Sequence, residues 1–417
     1  MRFISYLRKG VPGTVVALGF ASLFTDFASE MIYPLVPAFL TDVLGVGALA
    51  LGVIEGIAES TASILKIVSG WWTDRTARRK PFVFAGYGIA GAVRPLIGLA
   101  TSWVAVVAIR FIDRVGKGIR TAPRDALIAD ATPPESRGAA YGVHRSMDHF
   151  GAVIGPLAAA LLIWLGLTLR QVFLAAFVPA VFVIVIIARF VREPGRDPNG
   201  TAGPRPVLRR WRDFGPGFWR LMAAVFIFTL GNSADAFLLL RLFEASVSLV
   251  WVAVLWSLFS LVKMAANLAG GRLSDRVGRK WLVLAGWTVY AAVYLGMALT
   301  SDIALLIALF LVYGIHFGFT EPVERAWVAD LAPADLRGSG FGYYNGAIGI
   351  GALPANLLFG GIWAAFGPRP AFLMGAAFAG VAAIVLLGAP ERRDSGAGQA
   401  ASVETVEDPD PGPEVVG

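Results

Sequence analysis

Two stretches of this chain, GWWTDRTARRK at residues 70–80 and GGRLSDRVGRK at residues 270–280, decide its architecture. Each follows a long apolar run and precedes another, and each ends in a cluster of arginines and a lysine. Gly70, Asp74, Arg75, Arg78 and Arg79 match Gly271, Asp275, Arg276, Arg279 and Lys280 at an offset near 200. A second block repeats in nearly the same register: Asp130, Arg137, Gly138 and Gly142 match Asp330, Arg337, Gly338 and Gly342. Two blocks recurring together point to an internally duplicated chain.

The rest of the sequence fills the duplicated frame with membrane spans. Of 417 residues, 56% are hydrophobic and 16% charged, against about 25% charged in a soluble domain. So few charges cannot cover a water-exposed surface, so lipid must solvate the molecule. About 20 apolar residues cross a bilayer as a helix. Such runs fall near 14–40, 48–72, 81–101, 103–129, 138–165, 171–191, 217–243, 248–272, 281–300, 303–329, 338–365 and 370–389. The expectation is an all-α membrane protein, with twelve transmembrane helices in two six-helix repeats around a central cavity. The halves are read as 1–192 and 217–392, joined by a linker at 193–216. A Gly/Ala/Pro-rich acidic tail at 393–417 has too little apolar content to order itself.

Charge between the runs sets orientation. Arginine and lysine crowd the gaps at 75–80 and 272–280 and the linker, while the alternate gaps are nearly free of them. By the positive-inside rule both termini and the linker face the cytoplasm of an inner (plasma) membrane protein. Arg2, Arg8 and Lys9 before the first run read as the flank of a retained first span. The net charge of +7 lies in these gaps, which argues against nucleic acid as a partner. With no cysteine, disulfides, thiolate metal sites and cysteine nucleophiles are excluded.

The two loop blocks resemble the loop signature of the major facilitator superfamily. The second keeps that family's glycine after Asp-Arg as Gly278, whereas the first has Ala77. The resemblance covers about residues 14–389 and implies alternating access to a midplane solute site. It also implies that Gly70, Asp74, Arg75, Arg78, Gly271, Asp275, Arg276 and Arg279 form a cytoplasmic gate. Expected partners are a small-molecule solute, protons and membrane lipid, with no cofactor and a monomeric state.

Polar residues inside the spans are the candidate machinery. Asp26 and Glu30 lie four apart on one helical face. A carboxylate near mid-membrane costs at least about 2.5 kcal/mol if ionised, so both are proton-coupling candidates, with Asp113. The fourth span, RFIDRVGKGIRTAPRD (110–125), carries a stripe of charge at three- and four-residue spacing that lipid would not accept. Arg110 with Gly116 and Gly118 is similar to the superfamily's fourth-span pattern, where that arginine is tied to proton coupling. Arg114, Lys117, Arg120 and Arg124 form a cationic cavity wall suited to an anionic or zwitterionic solute. Glu55, Glu59 and Lys66 share one face of the second span and neutralise part of that stripe. GKGIRT (116–121) falls short of a nucleotide-binding loop, which needs eight residues and a preceding strand.

The fifth span supplies His144, Arg145 and Asp148, then Gly151, Gly155 and Pro156. This run resembles an antiporter signature of the superfamily, with Ala159 and Ala160 in place of its following glycines, and tilts the reading towards export. His144 with Asp148 reads as a polar contact rather than a metal site. Asn232, Asp235, His316 and Glu321 complete the cavity candidates. Glu324 and Arg325 mirror Arg124 and Asp125 with the signs exchanged, which predicts ion pairs between the halves. The twelve tryptophans read mostly as interface anchors or packing. The expected activity is proton-coupled export, with uptake of an organic anion or metal chelate as the rival; a membrane-embedded enzyme or a channel lacks supporting motifs.

Overall fold

The computed structural model describes residues 12–75, 79–132, 137–193, 211–332 and 337–388. Residues 194–210 of the central linker and the acidic tail lie outside them. Twelve membrane-length helical segments run through the described residues: α1 Gly13–Val43, α2 Ala48–Arg75, α3 Lys80–Leu99, α4 Trp103–Ala131, α5 Arg137–Trp164, α6 Leu169–Phe190, α7 Pro216–Glu244, α8 Leu249–Val277, α9 Arg279–Leu299, α10 Ile303–Leu331, α11 Arg337–Phe366 and α12 Pro368–Leu387. All except α4 are long and apolar enough to cross a bilayer on their own composition.

Burial is inverted relative to a soluble protein. Val178, Val181, Phe182 and Val185 of α6 and Ile350 and Ile384 of α11 and α12 are exposed, while Arg94, Arg110 and Asp113 are almost wholly buried. Hydrocarbon accepts the first set and rejects the second.

Several spans bend where proline removes a backbone donor. Near Pro34 and Pro37, α1 tightens into a 3-10 turn and ends in a π turn at Phe39–Val43. A 3-10 stretch, Arg94–Leu99, ends α3. The break in α7 falls between its helical pieces Pro216–Gly231 and Ala236–Glu244, and there the Ala234 amide donates to Asn356 Oδ1 at 2.9 Å. Non-helical backbone at membrane depth is tolerated where it lines a cavity or finds a partner.

Within the first half α1 packs on α5 and α6, and α4 on α2 and α3; within the second α8 packs on α10, and α9 on α10 and α12. Across the halves α2 meets α11 and α5 meets α8. Glycine permits the tightest crossings. A Cβ on Gly151 or Gly155 would strike the Leu23 or Phe27 carbonyl of α1, and one on Gly318 would strike the α8 backbone at Ala266.

The structure corrects the register of the duplicated loop. Arg79 Nη1 pairs with Asp130 Oδ2 at 2.9 Å, and Arg279 Nε pairs with Asp330 Oδ2 at 3.1 Å. Lys80 Nζ caps α6 at the Ala188 carbonyl, and Lys280 Nζ caps α12 at the Leu387 carbonyl. Arg79 is therefore equivalent to Arg279, and Lys80 to Lys280. The first loop is one residue longer than the second, so matching from the aspartates pairs Arg78 with Arg279 and Arg79 with Lys280. At the second loop Gly278 takes φ 97°, a left-handed conformation that glycine adopts without steric cost.

Candidate functional site

A cavity of about 530 Å³ lies between the halves. Beyond it, away from the end where α6 stops and α7 begins, the halves are tied together. Trp256 Nε1 donates to Glu30 Oε2 at 2.6 Å, Ser257 Oγ to the Val153 carbonyl at 2.6 Å and Ser60 Oγ to the Gly349 carbonyl at 2.7 Å. The Tyr33 and Trp256 rings pack at 5.2 Å, and the outer part of α1 meets the outer part of α7. Towards the α6/α7 end, the side chains of Arg145, Glu321 and Arg325 are 53%, 45% and 50% exposed. Hydrocarbon would not take these charges, so water enters from this end.

The first half lines the cavity with Asp26, Glu30, Glu55, Glu59, Lys66, Arg94, Arg114, Lys117 and Arg120. The second lines it with Asn232, Asp235, Lys263, His316, Glu321, Glu324 and Arg325, together with Phe228, Trp256, Phe317 and Tyr344. Asp26 makes no hydrogen bond or ion pair with another described residue. The Tyr313 hydroxyl donates to Asp235 at 3.0 Å, His316 Nδ1 lies 3.0 Å from the Gly286 carbonyl, and Lys263 Nζ stands 3.6 Å from the Phe317 ring centroid.

Five candidates from the sequence lie off this wall. Asp113 sits behind it at 1% exposure, accepting from Arg94 Nε at 3.0 Å and Nη2 at 2.7 Å, while Arg94 Nη1 reaches the Thr25 carbonyl at 3.1 Å. Arg124 folds onto its neighbour Asp125 at 2.8 Å. Asp148 accepts from Ser22 of α1 and stands 3.5 Å from Arg145, and His144 is buried within the first half. Asp113 turns from α4 towards α3 and Asp148 from α5 towards α1, a rotation that spacing along one helix does not reveal. Arg145 is also absent from the wall, although exposed near its mouth. Among the described residues no three His, Cys, Asp or Glu side chains cluster as metal ligands.

The expected pairs between Arg124–Asp125 and Glu324–Arg325 are not made in this state. Glu324 instead accepts from Trp287 Nε1 at 3.2 Å and the Tyr344 hydroxyl at 2.8 Å, and Arg325 reaches Glu321 at 3.4 Å. The α6/α7 end is open, which leaves each half to satisfy its own charges. Glu55 does reach the cationic stripe, holding Arg110 Nη2 at 2.5 Å.

Sequence reasoning missed Arg94, whose signal was a single charge in an otherwise apolar third span. It also missed the polar work of tryptophan: Trp256, Trp287 and Trp363 each donate to a glutamate. Among the gate residues, the side chains of Gly70, Asp74, Arg75, Arg78, Gly271 and Asp275 lie outside those described. Arg276 is exposed at the C-terminal turn of α8, and Arg279 forms the Asp330 pair above.

A duplicated helical bundle with one polar, water-reached cavity, closed at the opposite end, defines a membrane carrier rather than an enzyme. The chain belongs to the Major Facilitator Superfamily, whose model matches residues 18–256 and 243–409. It is 32% identical, over 89% of its length and 94% of the relative's, to an uncharacterized MFS-type transporter of Methanocaldococcus jannaschii. It is 25% identical to the multidrug resistance protein MdtH of Sodalis glossinidius, over 77% of this chain and 78% of that one. Its fold is similar to a bacterial homolog of the human lysosomal transporter Spinster in an inward-facing, occupied conformation: TM-score 0.71, 19% identity, covering 89% of this chain and 95% of that one. The nucleoside transporter NupG shares the fold at TM-score 0.70 and 13% identity, with 90% and 98% covered.

Proposed function

We propose that this secondary transporter exports a small amphipathic or anionic organic solute in exchange for protons, as a monomer in the inner membrane with both termini cytoplasmic. The observation that carries the reading is Asp26, a carboxylate on the wall of a membrane-embedded cavity with no hydrogen-bonding or ion-pairing partner among the described residues. An unpaired carboxylate there is stabilised by holding a proton, and a solute that displaces the proton couples the two. Glu30, one turn away and bonded to Trp256 across the halves, gives the proton state a route to the closed end. Asp113, held by Arg94, serves that ion pair rather than the exchange. Likeness to a multidrug resistance protein and the small-residue run Gly151, Gly155, Pro156 support the outward direction.

The gate reading extends to the α6/α7 end. Closing it brings Arg124 and Asp125 towards Glu324 and Arg325, whose signs complement them. The loop pairs Arg79–Asp130 and Arg279–Asp330 hold the helix ends that must move.

The test is proton release from purified protein in detergent while drugs, organic anions and chelators are titrated, paired with solute flux in vesicles under an imposed pH gradient. Release on solute binding, lost in Asp26→Asn and reduced in Glu30→Gln, is the expected outcome. Saturable binding with no proton release, unchanged in both variants, would refute the coupling. Accumulation in the direction of the proton gradient would reverse the proposed direction to uptake.

A further inference from the structure

We infer that the cavity holds the anionic head group of an organic solute on the guanidinium groups of Arg114 and Arg120, with its flat apolar body against the aromatic wall of the second half. The inference rests on the reading of this cavity as the solute site, and narrows its ligand from amphipathic or anionic compounds to aromatic-bodied anions.

The argument begins with which arginines have partners. In the same region Arg94 is paired with Asp113, Arg110 with Glu55 and Arg124 with Asp125. Arg114 and Arg120 line the cavity, are 8% and 4% exposed, and have neither an ion pair nor a hydrogen bond among the described residues. Arg114 Nε and Arg120 Nε and Nη1 are buried donors with no acceptor among the described residues. A buried donor left unmade is costly, and more so when charged. The chain has matched three guanidinium groups to carboxylates and left two, about one and two-thirds turns apart on α4, facing the cavity.

Geometry favours a planar, multidentate acceptor. Arg120 Cζ lies 4.3 Å from the ring centroid of buried Tyr87, which fixes the plane of the guanidinium and leaves its N–H edge free. Such a fork matches a carboxylate, sulfonate or phosphate through parallel hydrogen bonds. Lys117, between the two arginines on the cavity wall, has no ion pair among the described residues and adds a further donor.

The facing wall specifies the rest of the ligand. At the repeat offset of 200, Arg114, Lys117 and Arg120 correspond to Gly314, Phe317 and Thr320, so the α4 cation cluster has no counterpart on α10; of the second half's basic cavity residues, Lys263 stands over the Phe317 ring and Arg325 is paired with Glu321. Phe228, Trp256 and Phe317 line the opposite side. Half-buried Phe317, which carries Lys263 Nζ on its ring, and the more deeply buried Phe228 and Trp256 give a flat ring system apolar area to lie against, while the head group stays on α4.

The probes are naphthoate, naphthalenesulfonate and naphthyl phosphate, with naphthamide as the neutral counterpart, titrated into the full-length protein in detergent by calorimetry. At least one anion is expected to bind tenfold or more tightly than naphthamide. Arg120→Gln and Arg114→Gln should each weaken that anion about 10- to 100-fold, the contribution of a charge-assisted hydrogen-bonded pair, and leave naphthamide unchanged. Where a Gln variant does not fold, Arg120→Lys decides, because it keeps the charge and gives up the fork; a several-fold loss for the anion alone supports the site. The inference is overturned if none of the three anions binds, if anion and amide bind alike, or if the arginine variants leave anion affinity intact. Counterflow in proteoliposomes separates this failure from failure of the carrier reading. Anion binding without counterflow keeps the head-group site and sinks transport, whereas counterflow without anion preference does the reverse.

Discussion

Removing one member of the Arg94–Asp113 pair should destabilise the protein far more than removing both. Arg94 is 4% and Asp113 1% exposed, and one carboxylate oxygen takes two guanidinium N–H groups at 3.0 and 2.7 Å. Asp113→Leu leaves a buried guanidinium with only the Thr25 carbonyl, and Arg94→Leu leaves a buried carboxylate. Breaking a buried pair from one side costs about 3–5 kcal/mol, whereas replacing both members by apolar residues of similar volume is often near neutral. The second half shows that a neutral solution fits this scaffold. At the offset of 200 the equivalent residues are Tyr294 and Tyr313, whose rings lie 6.2 Å apart in its core. The expected coupling between the two substitutions is therefore favourable by about 3 kcal/mol or more. It is read by a double-mutant cycle on reversible SDS unfolding in mixed micelles. If Arg94→Leu/Asp113→Leu is as unstable as the sum of the single variants, the pair is not what holds α3 to α4, and the reasoning fails.

Other consequences follow from the packing. Gly155→Leu drives a side chain into the Phe27 carbonyl and should cost at least about 1–3 kcal/mol by overpacking, visible as lost monodisperse protein on size exclusion. Gly346→Ala, with open space around the added carbon, should be no less stable than the parent. Because the chain has no cysteine, introduced pairs report without background. Ser63→Cys/Gly349→Cys should crosslink in the state described once the two helices part slightly, because a Cβ on Gly349 would lie 2.7 Å from that of Ser63, against about 3.5–4.5 Å across a disulfide; Thr121→Cys/Glu321→Cys should crosslink only once the α6/α7 end closes. Equal crosslinking of the second pair in every condition would contradict the open end. Trp256→Phe removes the indole donor to Glu30 and should lower stability by roughly 1.5–3 kcal/mol, the range for a hydrogen bond to a charged group; a melting curve matching the parent would mean that this tie does not hold the halves.

The helix ladder was legible because each span is a local property of about 20 residues. Duplication was legible because two blocks repeat. Partners were not. Glu55–Arg110, Arg94–Asp113 and Trp287–Glu324 join helices far apart in sequence, and each depends on the rotation and depth of both. The stripe on α4 illustrates the limit. Spacing identified a charged face, yet a face about 100° wide touches several neighbours, so Arg114 and Arg120 reach the cavity while Asp113 and Arg124 bond elsewhere. Phase errors also enter at loops, as where one extra residue before Arg79 moves its aspartate-anchored match from Arg279, its structural equivalent, to Lys280.

The charge carried by α4 has a consequence for how the chain enters the membrane during synthesis. An Arg, Lys or Asp near the centre of an inserting helix opposes partition into lipid by about 2.5–3.5 kcal/mol, and α4 carries Arg110, Asp113, Arg114, Lys117 and Arg120 in eleven consecutive positions. Leaving the translocon alone, it would stay in water. Arg94 and Glu55 are already in place on α3 and α2 when it arrives, and they meet Asp113 and Arg110. Insertion of the first half is therefore cooperative, the earlier helices receiving the fourth, whereas α10 is apolar enough to partition by itself. A ribosome-bound chain ending just after α4 should integrate that helix only when Arg94 and Glu55 are present.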